Sequence, residues 1–335
     1  MNVLVYKQIA ERHISNANVI NTINITNGFI QNGCNVSFYV PDKLLYFFKD
    51  KLTNVNFINN LSNINQFQVI YFRDIEVPIK LIKDKKFKGF IIVETHDINI
   101  STENINILKS YDKFIFTSIA PSITEKYQFK KSLLFPCSID YEVFSDKNKY
   151  NSTLFSSNDF NITYCGHLYD YKGIPLIIEA AKILNEYKFH IVGGKEQDIQ
   201  RHKKNSPTNI IFHGHKNYNK VPHYLYSSDL LLIPYCKRGN KYSPSTVTSP
   251  IKLFEYLSTK IPVLCSDIVG IKNWVTESEV TFFKADKLTS FIEMIHFIKN
   301  HRNTEEMEKK LENGLNKASF YSTKNKCKEL LKLCN

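Results

Sequence analysis

Short runs of β-branched and aromatic residues alternate along the chain with longer amphipathic stretches. In the first half, these runs lie at residues 3–6, 36–40, 69–72, 90–94 and 114–117. A polar segment, residues 145–159, interrupts the alternation, which resumes at 162–165, 189–192, 210–212, 230–234 and 263–266. Apolar runs of this length between helical stretches are typical of parallel strands joined by crossover helices. The pattern therefore predicts an α/β protein with two doubly wound parallel sheets, and the polar segment as their linker.

Length and composition agree with two folded domains. The chain has 335 residues, 43% of them hydrophobic and 23% charged, which suits two domains of about 150 residues each. The net charge is +12, but the basic residues are dispersed and no nucleic-acid-binding motif is present, so we expect no nucleic-acid partner.

Targeting segments and cysteine spacing bear on the cellular compartment and on the presence of disulfides or metal sites. No apolar run approaches the roughly 20 residues of a spanning helix, and the N-terminal segment turns polar after Tyr6, before a signal-peptide core could form. The pattern thus predicts a cytoplasmic protein. The seven cysteines lie singly, without a C-x-x-C pair, which indicates neither a disulfide framework nor a zinc site.

Glycines follow two of the predicted strands in the second half. Gly166, Lys172 and Gly173 come after the run at 162–165, and Gly193 and Gly194 come after the run at 189–192. Ligands of open parallel sheets bind at the carboxyl ends of the strands, and a glycine loop leading into a helix suits a phosphate. The same glycines are equally compatible with ordinary strand-to-helix turns.

The segment SPIKLFEYL, residues 249–257, predicts a helix with Ser249 as N-cap. Leu253 lies on its predicted buried face, whereas Lys252 and Glu255 are three residues apart on another face. An ammonium and a carboxylate fixed at a helix start could bind a diphosphate and the vicinal hydroxyls of a ribose. The alternative is a surface ion pair that contributes about 0.3 kcal/mol.

In this order and spacing, the segments resemble the group 1 glycosyltransferases of GT-B fold. The resemblance covers ITYCGHLYDYKGIPLIIEAA, FHIVGG, NIIFHGHKNYNKVPHYLYSSDLLLIPY and SPIKLFEYLSTKIPVLCSD, and FPCSIDYEVF (135–144) resembles the family segment P-N-G-x-D-x-x-x-F. It implies two Rossmann-like domains facing a cleft. The acceptor-side domain would comprise residues 1–150 with a returning C-terminal helix at about 320–335, and the nucleotide-sugar domain residues 151–319.

The resemblance also assigns roles to residues. Lys172 and Lys252 would neutralise the leaving diphosphate, Glu255 would bind the ribose hydroxyls, and His96, after the run at 90–94, would line the cleft near the transferred sugar. The complete donor-binding set would be Gly166, His167, Lys172, Gly193, Gly194, Ser249, Lys252, Leu253 and Glu255, with His96, Lys172 and Lys252 catalytic.

Three departures from the family pattern stand out. Val247 replaces the first Glu of the E-x7-E motif, which the S-P-x-K-x-F-E-Y spelling identifies as a trait of a subset. His167 stands where many members have Arg. The loop after the first run, residues 7–18, lacks the usual glycines, so the motif assigns no acceptor-side residue there.

The implied activity is retaining transfer of a sugar from a nucleotide-sugar to a hydroxyl of a glycan or lipid-linked acceptor, in cell-surface polysaccharide or glycoconjugate biosynthesis. The chain has no D-x-D, so we expect no metal requirement and no cofactor beyond the donor. A nucleotide-sugar 2-epimerase-like isomerase and a non-catalytic sugar-nucleotide-binding subunit are the alternatives. Val247 and the glycine-poor first loop favour the second of these.

A basic stretch raises the prospect of membrane contact. Residues 78–89 place five lysines around Leu81, Ile82 and Phe87 in the acceptor-side half. Such a segment can bind anionic lipid at the inner face of the cell membrane. The alternative is an ordinary solvated helix.

Overall fold

The computed structural model describes residues 1–7, 17–96, 99–237 and 247–335. The chain divides into two compact units. Unit 1 comprises Met1–Asp140 and Tyr321–Asn335, and unit 2 comprises Tyr141–Phe320. Each unit has its own hydrophobic core.

The described part of unit 1 is built on a parallel seven-stranded sheet. Its strands are β1 (Asn2–Tyr6), β2 (Asn35–Tyr39), β3 (Val55–Ile58), β4 (Val69–Phe72), β5 (Phe90–Thr95), β6 (Phe114–Ser118) and β7 (Ser132–Leu134). The spatial order is β3-β2-β1-β4-β5-β6-β7. The order reverses between β1 and β4, which makes this the switch point of the sheet.

Helices connect these strands and cover the sheet. The described ones in the first part of unit 1 are α1 (Ala17–Gln31), α2 (Leu45–Lys49), α3 (Glu76–Lys83), α4 (Thr102–Lys109) and α5 (Pro121–Tyr127). Ser101 caps α4 by accepting a hydrogen bond from the Asn104 N–H at 3.3 Å.

The described part of unit 2 is a parallel six-stranded sheet. Its strands are β8 (Asn161–Cys165), β9 (Lys188–Val192), β10 (Ile210–Gly214), β11 (Leu230–Ile233), β12 (Val263–Ser266) and β13 (Thr281–Phe283). The order is β10-β9-β8-β11-β12-β13, so the reversal falls between β8 and β11. The loop after β8 therefore lies at the switch point of this sheet, where ligands of such folds bind.

The helices described in unit 2 are α6 (Tyr141–Ser145), α7 (Ile174–Ile183), α8 (Glu196–Lys203), α9 (Val221–Tyr226), α10 (Ile251–Leu257), α11 (Val269–Lys272), α12 (Leu288–His301) and α13 (Glu305–Phe320). Helix α7 begins after Gly173, which adopts the left-handed conformation with φ of 84°. A Cβ on Gly173 would lie 1.8 Å from the Pro234 carbonyl oxygen, so only glycine fits at this helix start.

The polar segment 145–159, which the sequence suggested as a linker, is bonded to unit 2. The Asn151 N–H donates to His223 Nδ1 at 2.8 Å, and the Leu154 N–H donates to Ser227 Oγ at 3.1 Å. The division between the units instead falls at Tyr141, before the buried Phe144. The segment is polar because it lies on the surface of unit 2.

The last helix, α14 (Thr323–Lys332), packs against α1 in unit 1. A Cβ on Gly28 of α1 would lie 2.7 Å from Cys327 Sγ, so the glycine permits this close approach. Cys327 and Leu330 are fully buried there and belong to the unit 1 core. Across the described ranges, no helix combines the length and apolar character that crossing a bilayer requires.

Candidate functional site

The loop after β8 brings a glycine and a lysine into close approach. Gly166 has a φ of 146°, and its N–H donates to the Val192 carbonyl oxygen at 2.8 Å. A Cβ built on Gly166 would lie 2.6 Å from Lys252 Nζ. The missing side chain thus leaves room for the Lys252 ammonium beside the backbone of the loop.

Helix α10 starts one residue later than the sequence predicted. Pro250, not Ser249, occupies the N-cap position, and no side chain caps the helix. Leu253 is fully buried as expected, but Glu255 is buried too, with 6% of its surface exposed. The surface ion pair considered from the sequence is therefore wrong, because the Glu255 carboxylate lies inside the protein.

Aromatic rings surround both lysine ammonium groups. Lys252 Nζ lies 4.0 Å from the centroid of the Tyr164 ring, and Lys172 Nζ lies 3.8 Å from that of Tyr235. Tyr235 also lies 5.5 Å from Lys252 Nζ, so one ring contacts both cations.

This environment shifts the titration of both lysines. Burial lowers the pKa of Lys172 to about 8, and burial together with the charge of Lys172 lowers the pKa of Lys252 to about 7. At neutral pH, part of the Lys252 population is uncharged. A bound anion would favour the fully protonated form of both groups.

Glu255 has one tyrosine partner. Tyr218, from the 3-10 turn Tyr218–Lys220 after β10, donates its hydroxyl to Glu255 Oε1 at 2.7 Å. Burial raises the pKa of Glu255 to about 7, although the Tyr218 hydrogen bond and the Lys252 charge oppose this rise. The carboxylate can accept further hydrogen bonds, since one donor does not fill its lone pairs.

His167 and the two glycines after β9 lie around the same loop. The His167 ring stacks on Tyr169 with centroids 5.4 Å apart. The pKa of His167 is lowered, mainly by burial and further by the charges of Lys252 and Lys172. A Cβ on Gly193 would lie 2.4 Å from the Gly166 carbonyl oxygen, and one on Gly194 would meet the Leu168 side chain. Both glycines therefore let the β9 loop pack tightly on the β8 loop.

Helix α8 braces the β8 loop, a feature that the sequence did not reveal. His202 Nε2–H donates to the Leu168 carbonyl oxygen at 2.9 Å, and Arg201 Nη2 donates to Asp170 Oδ1 at 3.0 Å. On the other side, the Cys236 N–H donates to the Tyr171 carbonyl oxygen at 3.0 Å. These contacts fix the turn that carries Lys172.

In unit 1, His96 follows β5 beside a buried carboxylate. His96 Nε2 lies 3.1 Å from Arg73 Nη2 and 3.4 Å from Glu94 Oε1. Burial lowers the pKa of His96, but hydrogen bonds with Cys137 and Glu94 outweigh it and raise the pKa overall. The His96 side chain keeps 37% of its surface exposed and is accessible to a ligand.

Glu94 is the centre of a buried network. It forms ion pairs with Lys326 of α14 and with Arg73, the latter at 3.0 Å. Asn21 Nδ2 and the Tyr71 hydroxyl also donate to it, at 2.9 and 2.7 Å. Burial alone would raise the pKa of Glu94, but Lys326 and Arg73 hold it well below its usual range.

The remaining sequence predictions are only partly covered. Val247 is half-buried ahead of α10. Residues 8–16, most of the glycine-poor first loop, lie outside the described residues, as do 97–98 and 238–246. Within the described ranges, no three His, Cys, Asp or Glu side chains are grouped so that they could hold a metal ion.

Tyrosines are the main site residues that sequence reasoning missed. Tyr164 is the fourth residue of β8, Tyr235 follows β11, and Tyr218 follows β10. Their shared signal is a tyrosine at or just beyond the carboxyl end of a strand. That signal is weak because tyrosine is common in strands for packing reasons alone.

Comparisons with known proteins bear on the family and the fold of the chain. Residues 159–300 match the family model described as glycosyl transferases group 1. No curated protein matches the chain as a relative.

Solved structures resemble the whole chain in fold. A glycosyltransferase from Rickettsia africae has a TM-score of 0.78 at 13% identity, covering 99% of this chain and 97% of that one. Anabaena HepE in complex with UDP and glucose has a TM-score of 0.69 at 14% identity, covering 99% of each chain. The lipopolysaccharide outer core galactosyltransferase WaaB has a TM-score of 0.63 at 14% identity, again covering 99% of each chain.

These likenesses identify the architecture of the two parallel-sheet units as the GT-B fold. The lysines, Gly166 and Glu255 all lie within the matched segment of unit 2. Residues 159–300 thus match the group 1 glycosyl transferase family, in a chain with the GT-B fold.

Proposed function

We propose that the chain transfers a glycosyl group from a nucleoside diphosphate sugar to a hydroxyl of a glycan or lipid-linked acceptor, with retention at the anomeric carbon. One observation carries the proposal. Two half-buried lysines, Lys172 and Lys252, lie over the same Tyr235 ring, and Lys252 also lies beside Gly166 of the loop at the switch point of the unit 2 sheet. All of them lie within the segment that matches the group 1 glycosyl transferases.

The lysines account for the leaving group. A departing diphosphate gains negative charge in the transition state, and fixed cations in a water-poor site stabilise that charge most. Lys172 and Lys252 would supply the stabilising positive charge, and the Gly166 backbone would lie against the phosphates. With its lowered pKa, His167 is mostly neutral at pH 7 and leaves this role to the lysines.

The other candidates would hold the rest of the donor and the sugar. Glu255 would accept hydrogen bonds from the ribose, and Ser249 and Leu253 would lie beside it at the start of α10. The loop of Gly193 and Gly194 would line the donor site. His96, exposed at the carboxyl edge of unit 1, would contact the transferred sugar.

A UDP-sugar is the first donor to test. HepE was solved with UDP and glucose. WaaB is a galactosyltransferase of lipopolysaccharide outer core, which supports a place for our chain in cell-surface polysaccharide or glycoconjugate synthesis.

The deciding experiment is thermal unfolding and calorimetry with UDP-, GDP-, ADP- and CMP-sugars, followed by turnover assays with hydroxyl acceptors. A donor at 100 times its Kd should stabilise the protein by about 2.7 kcal/mol. Product formation without any acceptor would instead identify an epimerase-like isomerase. Tight donor binding without turnover on any acceptor would identify a binding subunit.

The proposal includes independence from metal ions, because Lys172 and Lys252 replace the charge of a diphosphate-bound cation. Activity should therefore survive EDTA, with at most a small gain from Mg²⁺. Complete loss on chelation that Mg²⁺ or Mn²⁺ restores would contradict this part.

A further inference from the structure

Glu255 is held by a residue that no motif assigns. The Tyr218 hydroxyl donates to Glu255 Oε1 at 2.7 Å from a different loop, the turn after β10. We propose that Tyr218 is a positioning residue that makes Glu255 a reader of the ribose, so that the donor is a ribonucleotide sugar and 2′-deoxyribonucleotide sugars, such as dTDP-sugars, are rejected. This inference rests on the proposed function, since it assumes that a nucleotide occupies unit 2.

The charge of the Glu255 carboxylate sets how many hydrogen bonds it can accept. An ionised carboxylate only accepts hydrogen bonds and has room for about four, whereas the protonated form gives up part of that capacity. Burial of Glu255 favours the protonated form, and the Tyr218 hydrogen bond opposes it. The phenol thus favours the ionised form of Glu255, which two vicinal hydroxyls recognise best.

The Tyr218 hydrogen bond also sets the direction in which the Glu255 carboxylate accepts further hydrogen bonds. A hydrogen bond to Oε1 fixes the rotation of the carboxylate about its last torsion, which is otherwise broad. With Oε1 engaged by Tyr218, the remaining lone pairs point in set directions. A pair of ribose hydroxyls can match those directions, whereas a sugar lacking one hydroxyl leaves a buried acceptor unpaired.

Tyr218 is itself held in place by its neighbours. Its ring packs edge-on against Phe144, with centroids 5.4 Å apart. Phe144 is fully buried, and its carbonyl oxygen accepts the Tyr226 hydroxyl at 2.6 Å. The ring that carries the phenol is therefore packed against the buried core of unit 2.

The test compares the affinity for UDP with that for 2′-deoxy-UDP and 3′-deoxy-UDP by calorimetry, repeated with the GDP and ADP pairs. The ratio of affinities is the readout, because the titrating lysines affect both nucleotides of a pair alike. Tyr218→Phe removes only the hydroxyl. Tyr187→Phe is the matched control, because it removes a phenol that bonds His296 Nδ1 at 3.0 Å within the same unit.

We expect the native protein to favour the ribonucleotide by at least about tenfold. In Tyr218→Phe the ratio should fall to about threefold or less at pH 7 and recover in part at pH 8.5, where Glu255 ionises without help but is not oriented by the phenol. Glu255→Gln should show the low ratio at both pH values, and Tyr187→Phe should keep the native ratio.

Two results would overturn the inference while leaving the nucleotide site intact. In one, the native protein binds UDP and its deoxy analogues equally. In the other, Tyr218→Phe weakens all of them by the same factor, which indicates a purely structural role. If no nucleoside diphosphate binds at all, the proposed function fails as well.

Discussion

At the scale of single residues, burial brings three side chains of unit 2 into the neutral pH range. The pKa of Lys172 falls to about 8 and that of Lys252 to about 7, while that of Glu255 rises to about 7. The aromatic walls that exclude water from the lysines would also strengthen their attraction to a diphosphate. The site is therefore set up to gain charge when an anion arrives.

The first prediction concerns Lys252 and Glu255. We expect Lys252→Met and Glu255→Ala each to weaken nucleotide-sugar binding or turnover at least tenfold, about 1.4 kcal/mol, with the fold retained. Calorimetry, kinetics and circular dichroism measure this. Lys182→Ala is the control, since its ammonium pairs with Glu179 on the surface of the same unit. Native affinity and kinetics in both site variants would exclude the proposed donor site.

The second prediction concerns pH. A UDP-sugar has no diphosphate group that titrates near neutrality, so changes in its affinity report the protein. In the ligand-free protein the pKa values of Lys172 and Lys252 are lowered, and a bound anion should raise them. The affinity for the UDP-sugar should therefore fall as pH rises from about 7 to 9. Binding at pH 8 should take up protons, measured by calorimetry in buffers of different ionisation enthalpy. A flat affinity profile without proton uptake would count against the arrangement.

The sequence could indicate Lys252 and Glu255 but not their environment. Helical spacing places the two residues on one face, and a surface face was the simpler expectation for charged groups. Only the folded chain brings Tyr164 of β8 and Tyr218 of the turn after β10 to them. Such contacts depend on the register of the whole sheet, which local patterns do not encode.

At the scale of elements, the pattern predicted the central strands and the edge strand β10, but missed the other three edge strands of the two described sheets. Strands β3, β7 and β13 were not predicted, and all three pair with a neighbour on one side only. Edge strands are half solvated, so they lack the continuous apolar run that marks a buried parallel strand. Helix α14 was expected to return to the first domain from the resemblance alone, because its polar sequence gives no sign of the partner.

The third prediction concerns α14. Lys326 and Glu94 are both fully buried, and breaking such a pair leaves an under-compensated charge inside the protein. Lys326→Met should lower the free energy of unfolding by about 3 kcal/mol. The exposed Lys332, which pairs with Glu329, provides Lys332→Met as control. Equal melting temperatures for both variants would show that α14 does not stabilise unit 1 through this pair.

At the scale of the whole molecule, the basic stretch 78–89 remains a proposed contact with anionic membrane. The structure limits its form, because Leu81 and Phe87 are buried and do not face a bilayer. Lys83 also pairs with Glu103 at 3.3 Å, and Lys86 with Asp84 at 3.1 Å. What remains for a lipid surface is electrostatic attraction, about 1 kcal/mol for each free basic residue.

The fourth prediction follows from this. Sedimentation with phosphatidylglycerol vesicles should show binding at low salt that disappears as salt is raised. Lys→Glu changes at residues 83, 85 and 86 should reduce it, whereas Lys182→Glu in unit 2 should not. Equal recovery in the supernatant with and without vesicles at low salt would favour an acceptor that is not in a membrane.

The Glu94–Lys326 pair also implies an order in which the two units are completed during synthesis. Unit 1 is discontinuous, and all of unit 2 is synthesised between its two parts. At translation rates of about 5–20 residues per second, Glu94 waits on the order of ten seconds or more for its lysine. During that interval Gly28 and the α1 surface have no α14 to cover them. Unit 2 is contiguous and needs none of these residues, whereas unit 1 can complete its core only after residues 321–335 have been synthesised.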